Sequence, residues 1–315
     1  MCRISIITSL YNSQLYLEGY FKAVSAIKQT KEIEILLIHN AANAEELAIT
    51  AKYLPSLPFI RHIQVGREGL YATWNRGISM AKGDYVTPWN VDDVRIPESI
   101  QQQADALDAN PTIGLSYGDF LIVRNYGDTE GFAVNEPQFD AGNPTFYRQH
   151  HIGCFPMWRR SIHEKMGYFD EQFRLIADLD FQIRVAKNYG LVKIPQQLGY
   201  YLEGTPGNLS SNFSLQDMEH TVLHLRYGNF NMLYLTHIYE AIKKFRVFEL
   251  KWFGEYHRLS KRTPAENRSY YFRMPLVIMS IVKLPRHIVR KHFKTYFYKI
   301  FPQKTSQDSL GTTAV

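Results

Sequence analysis

A doubly wound α/β fold with a mostly parallel central sheet is predicted for this chain, on three observations. Strand-like and helix-like patterns alternate through the first 123 residues. The helices between strands are long enough for parallel crossovers. The fourth strand pattern also runs straight into two adjacent carboxylates, Asp92-Asp93, at the end of a strand where an open α/β sheet places its ligand.

Taken in order, residues 3–9 read as a strand, after which Leu17, Tyr20, Phe21, Val24 and Ile27 recur at helical spacing. A second strand is expected at 32–38, a helix near 45–54, a strand at 59–65 and a helix through Leu70, Trp74, Ile78 and Ala81. Strand 84–89, helix 97–110 and strand 113–123 complete the series. Residues 124–149 are rich in Gly, Asn, Pro and aromatics without a period, which predicts a long functional loop. Beyond it the pattern predicts a strand at 155–158, a helix at 178–189 and short strands at 191–194 and 198–202. After Gln216 the chain turns helical and aromatic, with no internal repeat.

With 315 residues, 45% of them hydrophobic, the chain can bury a sizeable core. Its two cysteines, Cys2 and Cys154, supply neither a disulfide framework nor a zinc site, and their number fits a reducing compartment. The N-terminus opens on a strand pattern without signal-peptide features. The longest apolar candidate, 274–284, contains Pro275 and Lys283 and is too short to span a bilayer, so a soluble or peripheral cytoplasmic protein is expected. The net charge of +6 is local: residues 267–307 hold nine Lys/Arg and no Asp or Glu. Nothing else in the chain points to nucleic acid.

The strand ends carry the chemistry. Strand one ends in Thr8-Ser9-Leu10-Tyr11-Asn12, with hydroxyls and an aromatic but no glycine-rich loop. Neither GxGxxG nor GxxxxGK[ST] occurs, which argues against a dinucleotide-binding or P-loop protein. His39-Asn40, ending strand two, either touch a base edge or make an ordinary turn. Without a phosphate-cradling loop, a diphosphate needs a cation. Asp92 and Asp93 offer the hard oxygens that suit magnesium or manganese, unless they serve only as turn and cap residues before a helix opened by Pro97.

Several segments together resemble family 2 glycosyltransferases. They are Ile4-Ser5-Ile6-Ile7 with Tyr11-Asn12, then Asn75-Arg76-Gly77-Ile78 and Ala81-Lys82-Gly83-Asp84-Tyr85-Val86, then Asp92-Asp93 with Pro97. Met166-Gly167-Tyr168-Phe169-Asp170-Glu171, followed by Asp178-Leu179-Asp180-Phe181-Gln182-Ile183-Arg184, matches the family's second block. The resemblance covers residues 3–205 and implies a GT-A fold, a nucleotide-sugar donor (a UDP-sugar foremost), a divalent metal (Mn or Mg) and transfer with inversion. It implies Asp92 and Asp93 as the metal-holding carboxylates, with Asp92 reaching ribose or metal, and Asp178 as the general base. Read locally, without the resemblance, Asp178 is better taken as a helix N-cap and Asp180 as a first-turn acid, and one residue can serve as both cap and base. Ser9, Tyr11, His39, Asn40, Asn75, Asp92 and Asp119 are the donor-contacting candidates, although Asp119 also fits a turn.

On this basis residues 1–215 form the catalytic domain, with a nucleotide-binding half at 1–123 and an acceptor half at 124–215. A helical basic extension follows at 216–303, and 304–315 are expected to be a disordered tail. The expected reaction is hexosyl or N-acetylhexosaminyl transfer to a glycan or lipid-linked acceptor, as in cell-surface polysaccharide biosynthesis. A sugar-phosphate nucleotidyltransferase or an inactive nucleotide-sugar-binding relative are the alternatives.

Three departures stand out. His39-Asn40-Ala41-Ala42 replaces the family's usual Asp-Asp-Gly-Ser, Ala177 replaces the acid before the base, and Trp74 replaces an Arg. His150-His151 precede a segment lining the expected sugar pocket, but paired histidines in a polar loop are commonly surface residues.

In the tail, Val289, Phe293, Tyr296, Phe297 and Ile300 share helical spacing with Arg286, Arg290, Lys294 and Lys299 around them. Such a helix either lies on an anionic membrane, each basic residue contributing about 1 kcal/mol, or packs on the catalytic domain. Liposome flotation separates these readings. The membrane reading expects the full chain to float with anionic vesicles at low salt and a folded chain ending near Glu266 to stay behind; equal behaviour removes the tail as an anchor.

Overall fold

The computed structural model describes residues 2–28, 30–204 and 212–227. The chain runs β1 (Ile4–Leu10), α1 (Gln14–Ser25), β2 (Ile33–Asn40), α2 (Ala44–Tyr53), β3 (Ile60–Val65), α3 (Leu70–Met80) and β4 (Tyr85–Pro88). It continues with β5 (Val94–Arg95), α4 (Pro97–Asp108), β6 (Leu115–Val123), β7 (Phe132–Val134) and β8 (Met157–Arg159). Then come α5 (Ile162–Met166), α6 (Ala177–Asn188), β9 (Leu191–Leu202) and α7 (Phe213–Tyr227).

Local chemistry explains these elements. β1 and β2 are apolar on both faces and almost fully buried, as strands covered by helices on each side must be. Alternate residues of β2 feed separate cores, Leu36 and Ile38 one, Ile35 and Leu37 the other. α1 presents Leu17, Tyr20, Phe21 and Val24 as one buried stripe. α2 opens with a capping box in which Asn43 accepts from Glu46 N and Glu46 reaches back to Asn43 N. α3 lies close on β1 because position 77 is glycine: a Cβ there would come within 2.6 Å of Ile7.

The described strands form one sheet in the order β3-β2-β1-β4-β8-β6-β9-β5, with β7 paired to β6. β3, β2, β1 and β4 are mutually parallel, as expected. The second half is mixed: β8 runs antiparallel between β4 and β6, and β5 runs antiparallel to β9. After β6 the chain makes a long excursion instead of a helical crossover, so β8 is free to enter from the opposite direction.

Three further expectations are corrected. The two strands expected at 191–194 and 198–202 are one, β9, whose register against β6 shifts near Asp119. The expected loop at 124–149 contains β7 and a short 3-10 turn at Pro144–Tyr147. β5 and α5 were not foreseen because two to five residues are too few to display a period.

α7 crosses the boundary expected at residue 215 and packs on the sheet body. Met218, Val222 and Leu223 join the core cluster that contains α6. The buried Glu219 carboxylate accepts the N–H groups of Arg174 at 2.8 Å and Leu175 at 2.9 Å. Arg226, fully buried, is ion-paired with Asp170 at 2.9 Å and Asp180 at 3.2 Å, and Asp180 also accepts from Arg184 and Tyr227, each at 2.8 Å. Residues 228–315, including the basic tail, lie outside the described residues. Among those described, no helix is long and apolar enough to cross a membrane.

This charge cluster should control acid stability. Burial alone would raise the Asp180 pKa, but the Arg184 and Arg226 guanidiniums overcome it and hold the carboxyl below its ordinary range. A depressed folded pKa adds stability above the unfolded value that is lost as pH falls through the folded one. Asp180→Asn should therefore cost about 3–5 kcal/mol at pH 7, the scale of a broken buried pair, with the deficit shrinking as acid is added. Denaturant titrations between pH 3 and pH 7 would reveal a pH-independent deficit if this account is wrong.

Candidate active site at the carboxyl edge of the sheet

β1 is the switch point of the parallel half-sheet. The chain moves from β1 outward to β2 and β3, then returns through α3 to β4 on the other side of β1. The carboxyl ends of β1, β2 and β4 therefore share one edge and flank a crevice suited to a ligand. Backbone turns mark this edge: Asn12 and Ala41, just beyond β1 and β2, take left-handed φ values of 49° and 44°. For an alanine this conformation is strained, a common property of functional loops.

Tyr11 is exposed at this edge, with the Arg67 guanidinium 3.5 Å over its ring. Ser9 is half-buried within reach of Asn40, 3.5 Å away. His39 and Asn40 are fully buried. His39 meets His62 at 3.1 Å and Glu46 at 3.2 Å, and Glu46 in turn accepts the Ser13 N–H at 2.7 Å. The Asn40 amide donates to Thr73 at 3.1 Å, and its carbonyl accepts the Glu68 N–H at 3.3 Å. The contact with a base edge expected of these two is thus not open to their side chains as they stand. Instead they support the loops that carry Tyr11 and Arg67.

Past β4 a tight turn, closed by Asp93 N donating to Asn90 O at 3.2 Å, presents Asp92 and Asp93. Trp89 pins it by donating from Nε1 to the Asp93 carbonyl at 3.1 Å. The Asp93 carboxylate is buried and accepts from Leu202 N at 3.3 Å and Asn90 Nδ2 at 3.2 Å; Asp92 is half-buried. Burial, and then the Asp92 charge, push the Asp93 pKa well above the carboxylate range, and burial raises Asp92 as well. No ion pair is made by either among the described residues. The donor set fits a divalent cation, since two hard, mutually repelling carboxylates gain most from one. Among the described residues no group of three or more His, Cys, Asp or Glu side chains gathers to hold a metal.

A second carboxylate station lies on α6. The helix begins at Ala177 with Ile176 at the N-cap position, so Asp178 is a first-turn residue rather than the cap. Its Oδ1 accepts the Leu179 N–H at 2.8 Å, and its Oδ2 lies 3.5 Å from His150 Nε2. Asp178 remains about one-third exposed. Tyr71 of α3 and His220 of α7 also feel its charge. The Tyr71 hydroxyl is raised by burial and then by Asp178, while burial lowers His220 and keeps its imidazole neutral near pH 7. Sequence reasoning did not single out Tyr71 or His220, and only packing brings three other segments, those of Tyr71, His150 and His220, to this one carboxylate.

The remaining candidates are more structural. Asn75 clasps the Phe169 backbone through 2.9 Å bonds in both directions and donates to Glu171 at 2.7 Å. Asp119 Oδ1 accepts the Glu136 N–H and pairs with Lys193, both at 2.7 Å. His151 is held by Glu136 at 3.1 Å. Trp74, in place of the family's Arg, is buried against Tyr71 and Phe169.

The Glycosyl transferase family 2 model matches residues 5–167, just over half of the chain. The chain belongs to that family. This glycosyltransferase is 27% identical over 199 residues to the uncharacterized glycosyltransferase YwdF of Bacillus subtilis, covering 61% of this chain and 71% of the relative. It is 35% identical over 92 residues to the cholesterol galactosyltransferase of Borreliella burgdorferi, covering 29% of this chain and 25% of that one. Among solved structures, S. aureus TarS 1-349 in complex with UDP-GlcNAc superposes with a TM-score of 0.57 at 16% identity, covering 85% and 78% of the two chains. The mannosyltransferase PcManGT of Pyrobaculum calidifontis, in complex with GDP-Man and Mn2+, gives 0.51 at 13% identity, covering 93% and 82%. These structural likenesses place the fold among GT-A glycosyltransferases.

The electrostatics of the Asp92-Asp93 turn predict a stability effect that needs no ligand. A carboxyl raised in the folded state destabilises it from the ordinary carboxylate range upward, through the raised pKa. Asp93→Asn should therefore melt at a higher temperature than the parent at pH 8, and the advantage should vanish near pH 4. An unchanged or lower melting temperature at pH 8 would show that the Asp93 charge carries no such penalty.

Proposed function

We propose that this glycosyltransferase moves a sugar from a nucleotide-sugar donor, a UDP-sugar foremost, to a hydroxyl of a glycan or lipid-linked acceptor, with inversion. The observation that carries this reading is the pairing of two carboxylate stations on separate elements: Asp92-Asp93 at the switch-point edge and the partly exposed Asp178 at the start of α6. Inversion calls for the acceptor and the leaving diphosphate on opposite faces of the sugar, and hence for a base separate from the diphosphate site. The reported complexes of TarS with UDP-GlcNAc and of PcManGT with GDP-Man and Mn2+ support a nucleotide-sugar donor and a divalent cation. Neither alternative, nucleotidyltransferase or inactive relative, gains support from the comparisons.

In this reading Asp92 and Asp93 hold manganese or magnesium, which when bound neutralises the departing diphosphate as a Lewis acid. Tyr11, Ser9 and Arg67 line the base end of the crevice, while His39 and Asn40 hold that wall in place. Asn75 keeps the 169–171 segment beside α6, and Asp119 stays tied to Glu136 N and Lys193. Asp178 accepts the proton of the attacking hydroxyl. Leu179 N orients one carboxylate oxygen.

Two variants test the division of labour. Asp93→Asn should weaken manganese-dependent nucleotide binding at least about tenfold, because an amide is a poorer ligand for a hard cation. Asp178→Asn should keep donor binding and lose at least about a hundredfold in turnover, the usual scale of general-base catalysis. Calorimetry with UDP and manganese, together with donor turnover, separates them. If Asp178→Asn keeps its turnover, the carboxylate is a helix-start residue only.

A further inference from the structure

The turn joining β6 to β7 lays Tyr126 onto α1. Its ring packs on Tyr16 with centroids 5.3 Å apart. It also rests over Gly19, where a Cβ would fall 2.3 Å from Tyr126 Cε1. α1 thus carries a socket for this one ring, which any larger residue at position 19 would close. The hydroxyl at the end of the socket is buried and has no hydrogen-bond partner among the described residues. Natural structures rarely leave such a group unsatisfied, and when they do, a ligand often supplies the partner.

Two chains of contacts link the elements that carry this socket to the Asp92-Asp93 turn. On one side, Val123 pairs with Leu202 across β6 and β9, Glu203 N donates to Val123 O at 3.0 Å, and Leu202 N donates to Asp93 Oδ1 at 3.3 Å. Tyr126 follows Val123 by three residues. On the other side, Tyr20, next to Gly19, packs edge-on against Trp89, whose indole donates to the Asp93 carbonyl. Burial, and then the Asp93 and Asp92 charges, raise the phenol's pKa, so it stays protonated and can only be improved by an acceptor.

We propose that the Tyr126 hydroxyl donates a hydrogen bond to a diphosphate oxygen of the sugar-nucleotide donor, which makes the β6–β7 turn a third wall of the diphosphate site. The proposal rests on the donor reading above. It gives the orphaned hydroxyl an anionic acceptor at the place where Asp92 and Asp93 call for a cation. The ring supplies rigidity through its socket, and the hydroxyl supplies the contact.

Tyr126→Phe is the test, because it removes the hydroxyl and keeps the ring over Gly19. Calorimetry with UDP and GDP, each with manganese chloride and again with EDTA, is run beside uridine and guanosine. The variant should bind the diphosphates about tenfold more weakly than the parent, the effect of one charge-assisted hydrogen bond. Its affinity for the nucleosides should match the parent, and its ligand-free melting temperature should be no lower. Equal diphosphate affinity overturns the proposal. So does an equal loss for the nucleosides, which would put the contact on base or ribose, or a drop in ligand-free melting temperature, which would make the hydroxyl structural. Parent affinities identical in manganese and EDTA would remove the cation reading but leave the Tyr126 comparison valid in both arms; a parent that binds neither diphosphate overturns both.

Discussion

A buried carboxylate, Asp93, beside the half-buried Asp92, with no cation partner among the described residues, is the constraint around which the carboxyl edge is built. Repulsion at Asp92-Asp93 would open an unsupported turn, yet this one is tied at every level. Trp89 holds its backbone, Asn90 and Leu202 hold the inner carboxylate, and Tyr20 braces Trp89 from α1. The penalty of holding these charges is the reserve from which a bound cation would draw affinity. A rigid anionic turn at a topological switch would repel a bare phosphate and suits one only through a divalent cation, which it need not reorganise to receive.

The second station depends on parts of the chain beyond the family-matched segment 5–167. Asp178 lies on α6, and α7 brings His220 to it. What fixes α7 is a set of fully buried charges: Glu219 on the 174–175 backbone, and Arg226 between Asp170 and Asp180. Removing one member of such a cluster strands the others, so α7 cannot leave the body cheaply. The helix that stabilises the body therefore also shapes the environment of Asp178.

The departures from the family pattern are resolved by substitution of roles. Where acids are usual after β2, His39 joins a buried chain from His62 to Glu46 and on to the loop at Ser13. Polar groups at that position keep the edge in shape through internal hydrogen bonds. Trp74 turns a position usually charged into core, packing edge-on against Tyr71 and Phe169. Ala177, in place of an acid, is fully buried at the first position of α6.

Much was legible in the chain itself. The first seven major elements were readable because each repeats its period over several turns or pleats, and Asp92-Asp93 was visible because a strand pattern leads directly to it. The register of β9, the reversed β8, and the short β5, β7 and α5 were not, because they are set by neighbours distant in sequence. The burial of His39 and Asn40 was hidden for the same reason: their partners Glu46, His62 and Thr73 come from three other elements. By itself, then, the sequence determined the alternating α/β plan, the family and the place of Asp92-Asp93 at a strand end, because local periodicity and contiguous motifs encode these. Only the tertiary structure decided which polar groups face the crevice, which are consumed inside it, and that Tyr71, His150 and His220 surround Asp178. Burial and hydrogen-bond partnership arise from contacts between residues that the sequence keeps tens of positions apart.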